Sequence, residues 1–263
     1  MNGTLFGARR CGSATAVMLV AVLSAGSHPE AQARQSTAPA TQPPATPRAR
    51  APIDLTGYWV SIVNEDWRWR MVTPDKGDVA SVPLNPEGIK AANAWDPATD
   101  GSCLAYGAAG LMRMPTRLNI TWQDDKTIRL ETDAGQQTRR LMFDAPPAPA
   151  QKSLQGHSVA QWEPVPQPAR GGGPQQTPTS GNLKVTTTNL SGGWLRKNGV
   201  PYSANATLTE YFDRFKAPNN EDWLVVTTIV SDSKYLLQDF VTSSHFRKEP
   251  DNAKWAPFRC RAS

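Results

Sequence analysis

Histidine and cysteine are scarce in this chain, with three of each among 263 residues. No two of them fall at the close spacing that zinc ligands use, so neither a metal nor a metal cofactor is expected. A Gly-x-Ser-x-Gly turn is also missing, which removes the sequence sign of an α/β-hydrolase nucleophile. Long apolar runs are absent: the longest, Ala14 to Ala25, is about a dozen residues against the ~20 that span a bilayer, so no membrane span is expected. No unit recurs at fixed period, which disfavours a propeller or a solenoid.

The amino end has three parts: Arg9 and Arg10, the apolar run, and the small-residue triplet Ala31-Gln32-Ala33. This is the pattern of a secretory signal, with cleavage expected near Ala33 and a periplasmic or secreted destination. Residues 34–52 are nearly all Ala, Pro, Thr, Gln, Ser and Arg, a composition expected to form a disordered tether. Residues 53–263 remain as one domain.

The formal charge of +5 belongs mainly to the ends. Five arginines (9, 10, 34, 48 and 50) and Glu30 lie before residue 53, leaving 23 Lys+Arg against 22 Asp+Glu. So balanced a domain gives no support for nucleic-acid binding. The run Trp67-Arg68-Trp69-Arg70 reads as alternation on a half-buried strand rather than as a base-stacking platform. With Cys11 in the signal segment, Cys103 and Cys260 form an even pair in an oxidising compartment. That favours one disulfide, with free thiols or a metal pair as the alternative.

Short β-branched and aromatic segments with period-two alternation dominate the remainder. Strands are expected at 58–63, 67–73, 117–123, 127–132, 137–143, 158–162, 183–190, 206–215, 223–230 and 240–246. Roughly ten such strands predict an all-β fold, an antiparallel sheet closed or nearly closed into a barrel. The strand at 223–230 is apolar on both faces, which predicts a central position. Only Pro86–Ala94 reads as a helix, with Asn85 as N-cap, Pro86 at the first helical position and Glu87 in the first turn. Segments 145–153 and 164–181, the latter carrying Gly171-Gly172-Gly173, read as mobile surface loops.

Candidate chemistry is concentrated in a few residues. On the strand 206–215, Leu208, Glu210, Phe212 and Arg214 share one face. Glu210 and Arg214 stand about 13 Å apart along it, so if that face is inward each needs a different partner. Glu210 is a candidate acid or base, and Arg214 a candidate contact for an acidic or oxygen-rich ligand. His157 and His245 are the histidines left after the signal, and His157 joins Glu210 as a candidate proton carrier. Ser158 with one of these histidines and Glu210 or Asp232 gives an imaginable nucleophilic triad. Trp59, Trp122 and Trp162 fall on expected strands, where large aromatics line cavities as well as cores.

Thr56-Gly57-Tyr58-Trp59 is similar to the Gly-x-Trp opening of lipocalin-type barrels. A longer series resembles a large group of exported bacterial proteins with a lipocalin-like, calycin-type barrel. It runs Arg139-Arg140-Leu141-Met142-Phe143-Asp144, Gly156-His157-Ser158 to Trp162-Glu163, Leu183-Lys184-Val185-Thr186-Thr187, Gly199-Val200-Pro201-Tyr202-Ser203, Leu208 to Arg214, Val226-Thr227-Thr228-Ile229 and Asp232-Ser233-Lys234-Tyr235. The chain departs from that group after Glu163, where a Pro/Gly/Gln loop replaces a tight turn. It departs again at Tyr211, where the group has Arg, and at Ser233, where the group has Pro. The resemblance implies the barrel and retains His157, Ser158, Glu210 and Arg214, but brings no reaction with it. Three functions follow as expectations: binding of a small, partly apolar ligand inside the barrel; a lyase, isomerase or hydrolase using His157 and Glu210; or an envelope module with a filled core.

Overall fold

The computed structural model describes residues 45–98, 100, 103–165 and 180–260. The expected signal segment, most of the tether and the Gly171-Gly172-Gly173 loop lie outside the described residues.

Nine strands close on themselves. They are β1 (Gly57–Ile62), β2 (Arg117–Asp124), β3 (Thr127–Thr132), β5 (Thr138–Met142), β6 (His157–Pro164), β7 (Gly181–Thr188), β10 (Thr207–Lys216), β11 (Asp222–Ser231) and β12 (Phe240–Glu249), in the order β1-β12-β11-β10-β7-β6-β5-β3-β2. Pairing of β2 with β1 closes the ring. The all-β barrel expected from alternation is present, with two changes of detail.

First, the barrel is mixed, because β5 and β6 run parallel and pair only through Leu141↔Ser158 and Met142↔Val159. Residues 143–156 carry the chain back along the barrel between them, a connection of the length that a parallel pair needs. Second, the expected strand at 67–73 is instead a helical turn, α1 (Trp67–Arg70). Asp66 adopts a left-handed conformation (φ 52°), and its carbonyl accepts from the amides of Trp69 and Arg70. The ring closes β2 onto β1 directly, so no edge is left for a strand here.

Alternation sets what each strand buries. The inner positions of β10 are Leu208, Glu210 and Phe212, and those of β11 are Leu224, Val226, Thr228 and Val230. The outer positions of β11 are half-buried, and the strand lies between β10 and β12 as expected.

Both ends of the barrel are covered. Helix α2 (Pro86–Ala94) begins at Asn85, whose side chain accepts from the Gly88 amide at 2.9 Å and donates to the Lys234 carbonyl. With α3 (Ala108–Leu111) and the hairpin β8 (Gly193–Arg196) and β9 (Val200–Tyr202), it contributes to an apolar cluster that includes Leu208, Val230 and Phe240. At the other end residues 45–55 pack on the barrel, with Pro47 and Pro52 buried and the Pro47 carbonyl accepting from Trp162 at 2.9 Å. These packed residues include 45–52, which fall within the segment expected as a tether. Near the carboxyl end, β13 (Phe258–Arg259) pairs in parallel with β4 (Ala134–Gly135), and Cys103 is disulfide-bonded to Cys260.

Candidate functional site

The inner positions form three layers. The apolar cluster just described lies toward one end, and a second, containing Trp59, Leu118, Leu130, Val185, Phe212 and Phe246, lies toward the other. Between Leu208 and Phe212 on β10 stands Glu210, and between Val230 and Val226 on β11 stands Thr228. Thr187 on β7, paired with Leu208, and Ser244 on β12, paired with Val226, are buried polar residues on the neighbouring strands. A polar layer thus crosses an apolar interior.

Its centre is a fully buried ion pair between Arg139 on β5 and Glu210 on β10. Nη1 of Arg139 donates to Oε1 of Glu210 at 2.9 Å, and Nη2 donates to Oε2 at 2.5 Å. Nη2 also donates to Thr187 Oγ1 at 3.2 Å, and that hydroxyl shares a hydrogen bond of 2.8 Å with Ser158 Oγ. This bidentate geometry is the arrangement that best offsets the cost of burying two charges. Two polar atoms of the layer have no partner among the described residues: Arg139 Nε and Thr228 Oγ1.

The short parallel pairing of β5 and β6 leaves a cleft at the seam. It has a volume of about 380 Å³ and is lined by Thr138, Arg139, Arg140 and Met142 from β5, by Ser153, Gln155 and Gly156 from the returning chain, and by Ser158 from β6. Gln155 Oε1 is buried without a partner among the described residues, while its Nε2 donates to the Tyr106 carbonyl and to Gln137 Oε1, each at 2.8 Å. An unfilled donor, Arg139 Nε, and an unfilled acceptor, Gln155 Oε1, thus belong to residues lining one opening.

The expected site residues scatter around this centre. Glu210 and Ser158 belong to the polar layer. Arg214 is at the rim, where Nη2 donates to Asp222 at 2.9 Å and Nη1 to the Asp54 carbonyl at 2.7 Å. As the spacing required, Glu210 and Arg214 have separate partners. His157 is buried, but strand alternation turns it away from the interior that Ser158 faces. His245 is on the outer side of β12, with Nδ1 2.7 Å from Glu65. Neither histidine is therefore brought to Glu210. Asp232 accepts from the amide and hydroxyl of Ser203, and is not joined to Ser158.

Of the tryptophans, Trp59 is core, its Nε1 donating to the Leu55 carbonyl at 2.9 Å. Trp122 and Trp162 form a cluster with Phe143 at the end covered by residues 45–55, with centroid separations of 5.3 to 6.4 Å. Among the described residues no group of three or more His, Cys, Asp or Glu is placed to hold a metal ion. No described helix is long and apolar enough to cross a membrane.

Sequence reasoning missed Arg139, Thr187 and Gln155. For Arg139 a signal existed: two adjacent arginines on a barrel strand must point to opposite faces, so one of Arg139 and Arg140 has to enter the interior. No family model, no curated protein and no solved structure matches the chain.

Proposed function

We propose that this is an exported binding protein for a small, partly apolar molecule, held at the seam between β5 and β6 rather than in the middle of the barrel. The tripartite amino end and the Cys103–Cys260 bond support export. One observation supports the site most directly: the unpartnered Arg139 Nε and Gln155 Oε1 belong to residues lining the same cleft. Buried polar atoms are rarely left unpaired, which marks Arg139 and Gln155 as the lining residues that a ligand with polar groups would engage. The cleft is within the ~300–1,000 Å³ typical of small-molecule sites, and Met142 supplies an apolar surface beside Arg140.

Fluorescence of 8-anilinonaphthalene-1-sulfonate, an anion with an apolar body, tests this on the folded protein. Saturable enhancement in the parent, lost in Thr138→Trp and Ser153→Trp variants that keep the parental circular dichroism, is the expected result. Equal enhancement in both filled variants would sink the proposal.

A filled-core envelope module is the second reading, favoured by the apolar clusters on either side of the Arg139–Glu210 pair. It expects no saturable signal from the parent. Acid–base chemistry by His157 with Glu210 draws no support from this arrangement, since both carboxylate oxygens accept from Arg139 and His157 faces the other way.

A further inference from the structure

Outside the barrel layer, three arginines are buried close together: Arg70, Arg113 and Arg196, at 3%, 5% and 2% exposure. Two of them are satisfied. Arg70 donates through Nε to the Arg113 carbonyl at 2.8 Å and through Nη2 to Ser61 Oγ at 3.3 Å, with Glu65 3.7 Å from its Nη1. Arg113 donates to Asp66 at 2.9 Å, and its guanidinium lies over the Phe240 ring.

Arg196, in the β8–β9 hairpin, is different. All three of its guanidinium nitrogens are buried without a hydrogen-bond partner among the described residues, and the group rests over the Trp69 ring at 4.8 Å. A ring face offsets part of the desolvation of a cation but accepts no directed hydrogen bond at the fork. The two carboxylates whose charge acts on Arg196 are already engaged, Asp66 by Arg113 at 2.9 Å and Asp78 by Arg68 at 2.8 Å and Trp69 Nε1 at 3.0 Å. Burial, followed by the charge of Arg113, pulls the Arg196 guanidinium down to about 10, so it remains a cation at neutral pH. Burial lowers the neighbouring Lys197 ammonium as well.

A void of about 10 Å³ lies among these groups, lined by Trp69, Arg70, Arg113, Leu195, Arg196 and Lys197, with Met114 closing it. That is about the space one water-sized body needs. Positive groups outnumber negative ones around it: Arg68, Arg70, Arg113, Arg196 and Lys197 against Glu65, Asp66 and Asp78. A buried cation with no carboxylate hydrogen-bonded to it costs several kcal/mol in general, and its usual remedy is an anion in direct contact.

We propose that this void between α1 and the β8–β9 hairpin is a binding site for one small anion of halide size, held by the Arg196 guanidinium. The occupant is monatomic because the space admits no tetrahedral oxyanion. It ties α1 to the hairpin that helps cover the barrel end.

Thermal unfolding of the purified protein in sodium chloride or bromide, against sodium gluconate at equal ionic strength, tests the site. Above the dissociation constant each tenfold rise in halide lifts the midpoint by roughly 3–5 °C. Arg196→Met removes that dependence while remaining folded in gluconate, because the cation needing compensation is gone. A crystal grown in saturating bromide shows an anomalous peak within contact of Arg196. Halide dependence retained in Arg196→Met, or no bromide peak at Arg196 in the parent, overturns the proposal; should Arg196→Met not fold, the bromide peak alone decides.

Discussion

Arg139 on β5 reaches across the interior to hold both carboxylate oxygens of Glu210 on β10, three strands away around the wall. The pair lies in a polar layer between two apolar clusters, so it fixes which parts of the wall face one another. Removing one partner leaves the other charged, buried and unmatched. Glu210→Gln and Arg139→Met are each expected to cost about 3–5 kcal/mol. The double variant Arg139→Met/Glu210→Leu, which removes both charges, should recover most of that loss. Urea unfolding of the three variants and the parent gives the coupling directly, and additive losses would show that the two residues act separately.

Much of this layer could be read from the chain, and part could not. Leu208, Glu210 and Phe212 share the inner face as alternation requires, and the separate partners of Glu210 and Arg214 follow from their spacing. The identity of Glu210's partner did not follow, because Arg139 is distant in sequence and the closure order of the ring is set by pairing of whole strands. The parallel step between β5 and β6 was similarly hidden, since alternation does not encode strand direction. The length of residues 143–156 was the available clue. At Trp67-Arg68-Trp69-Arg70 alternating residue types imitate a strand, and the left-handed Asp66 starts a helical turn instead.

The disulfide joins positions separated by 157 residues and anchors the carboxyl segment to the loop before α3. Closing so long a loop constrains the unfolded chain, so Cys103→Ser/Cys260→Ser should cost about 2–4 kcal/mol. The check is the unfolding midpoint with and without reductant: the parent falls on reduction and the double serine variant does not.

At the barrel rim, hydrogen bonds from Arg214 hold the Asp222 carboxyl below its ordinary range, with Lys216 adding to the effect and burial opposing it. A lowered folded pKa stabilises the protein above the unfolded value near 3.9 and is lost as pH falls through the folded value. Asp222→Asn should therefore lower stability modestly at pH 7, by up to about 1 kcal/mol for a pair this near the surface. As pH falls through the folded value the variant and the parent should converge in denaturant titrations. A difference that persists in the most acid titrations, undiminished from neutral pH, would assign the loss to packing rather than to charge.

Tyr202 reports on the opposite end of the pH scale. Its ring is buried in β9 and its hydroxyl has no partner among the described residues, with Gly107 and Gly193 so close that a Cβ at either would meet the phenol oxygen. Burial pushes its pKa well up, although the positive charge of Arg139 acts against that rise. A phenol whose folded pKa is raised contributes stability that is complete below the unfolded value near 10 and is lost as pH climbs toward the folded value. The unfolded chain ionises first, so each pH unit above 10 removes up to ~1.4 kcal/mol through this residue. Tyr202→Phe eliminates that loss and a buried hydroxyl without a partner, so it should be neutral or slightly stabilising at pH 8. Burial raises Tyr106 too, and that residue is unchanged in the variant. Urea titrations at pH 8 and pH 11 should show the parent losing more stability between them than Tyr202→Phe. An equal loss in both proteins would place the alkaline sensitivity elsewhere.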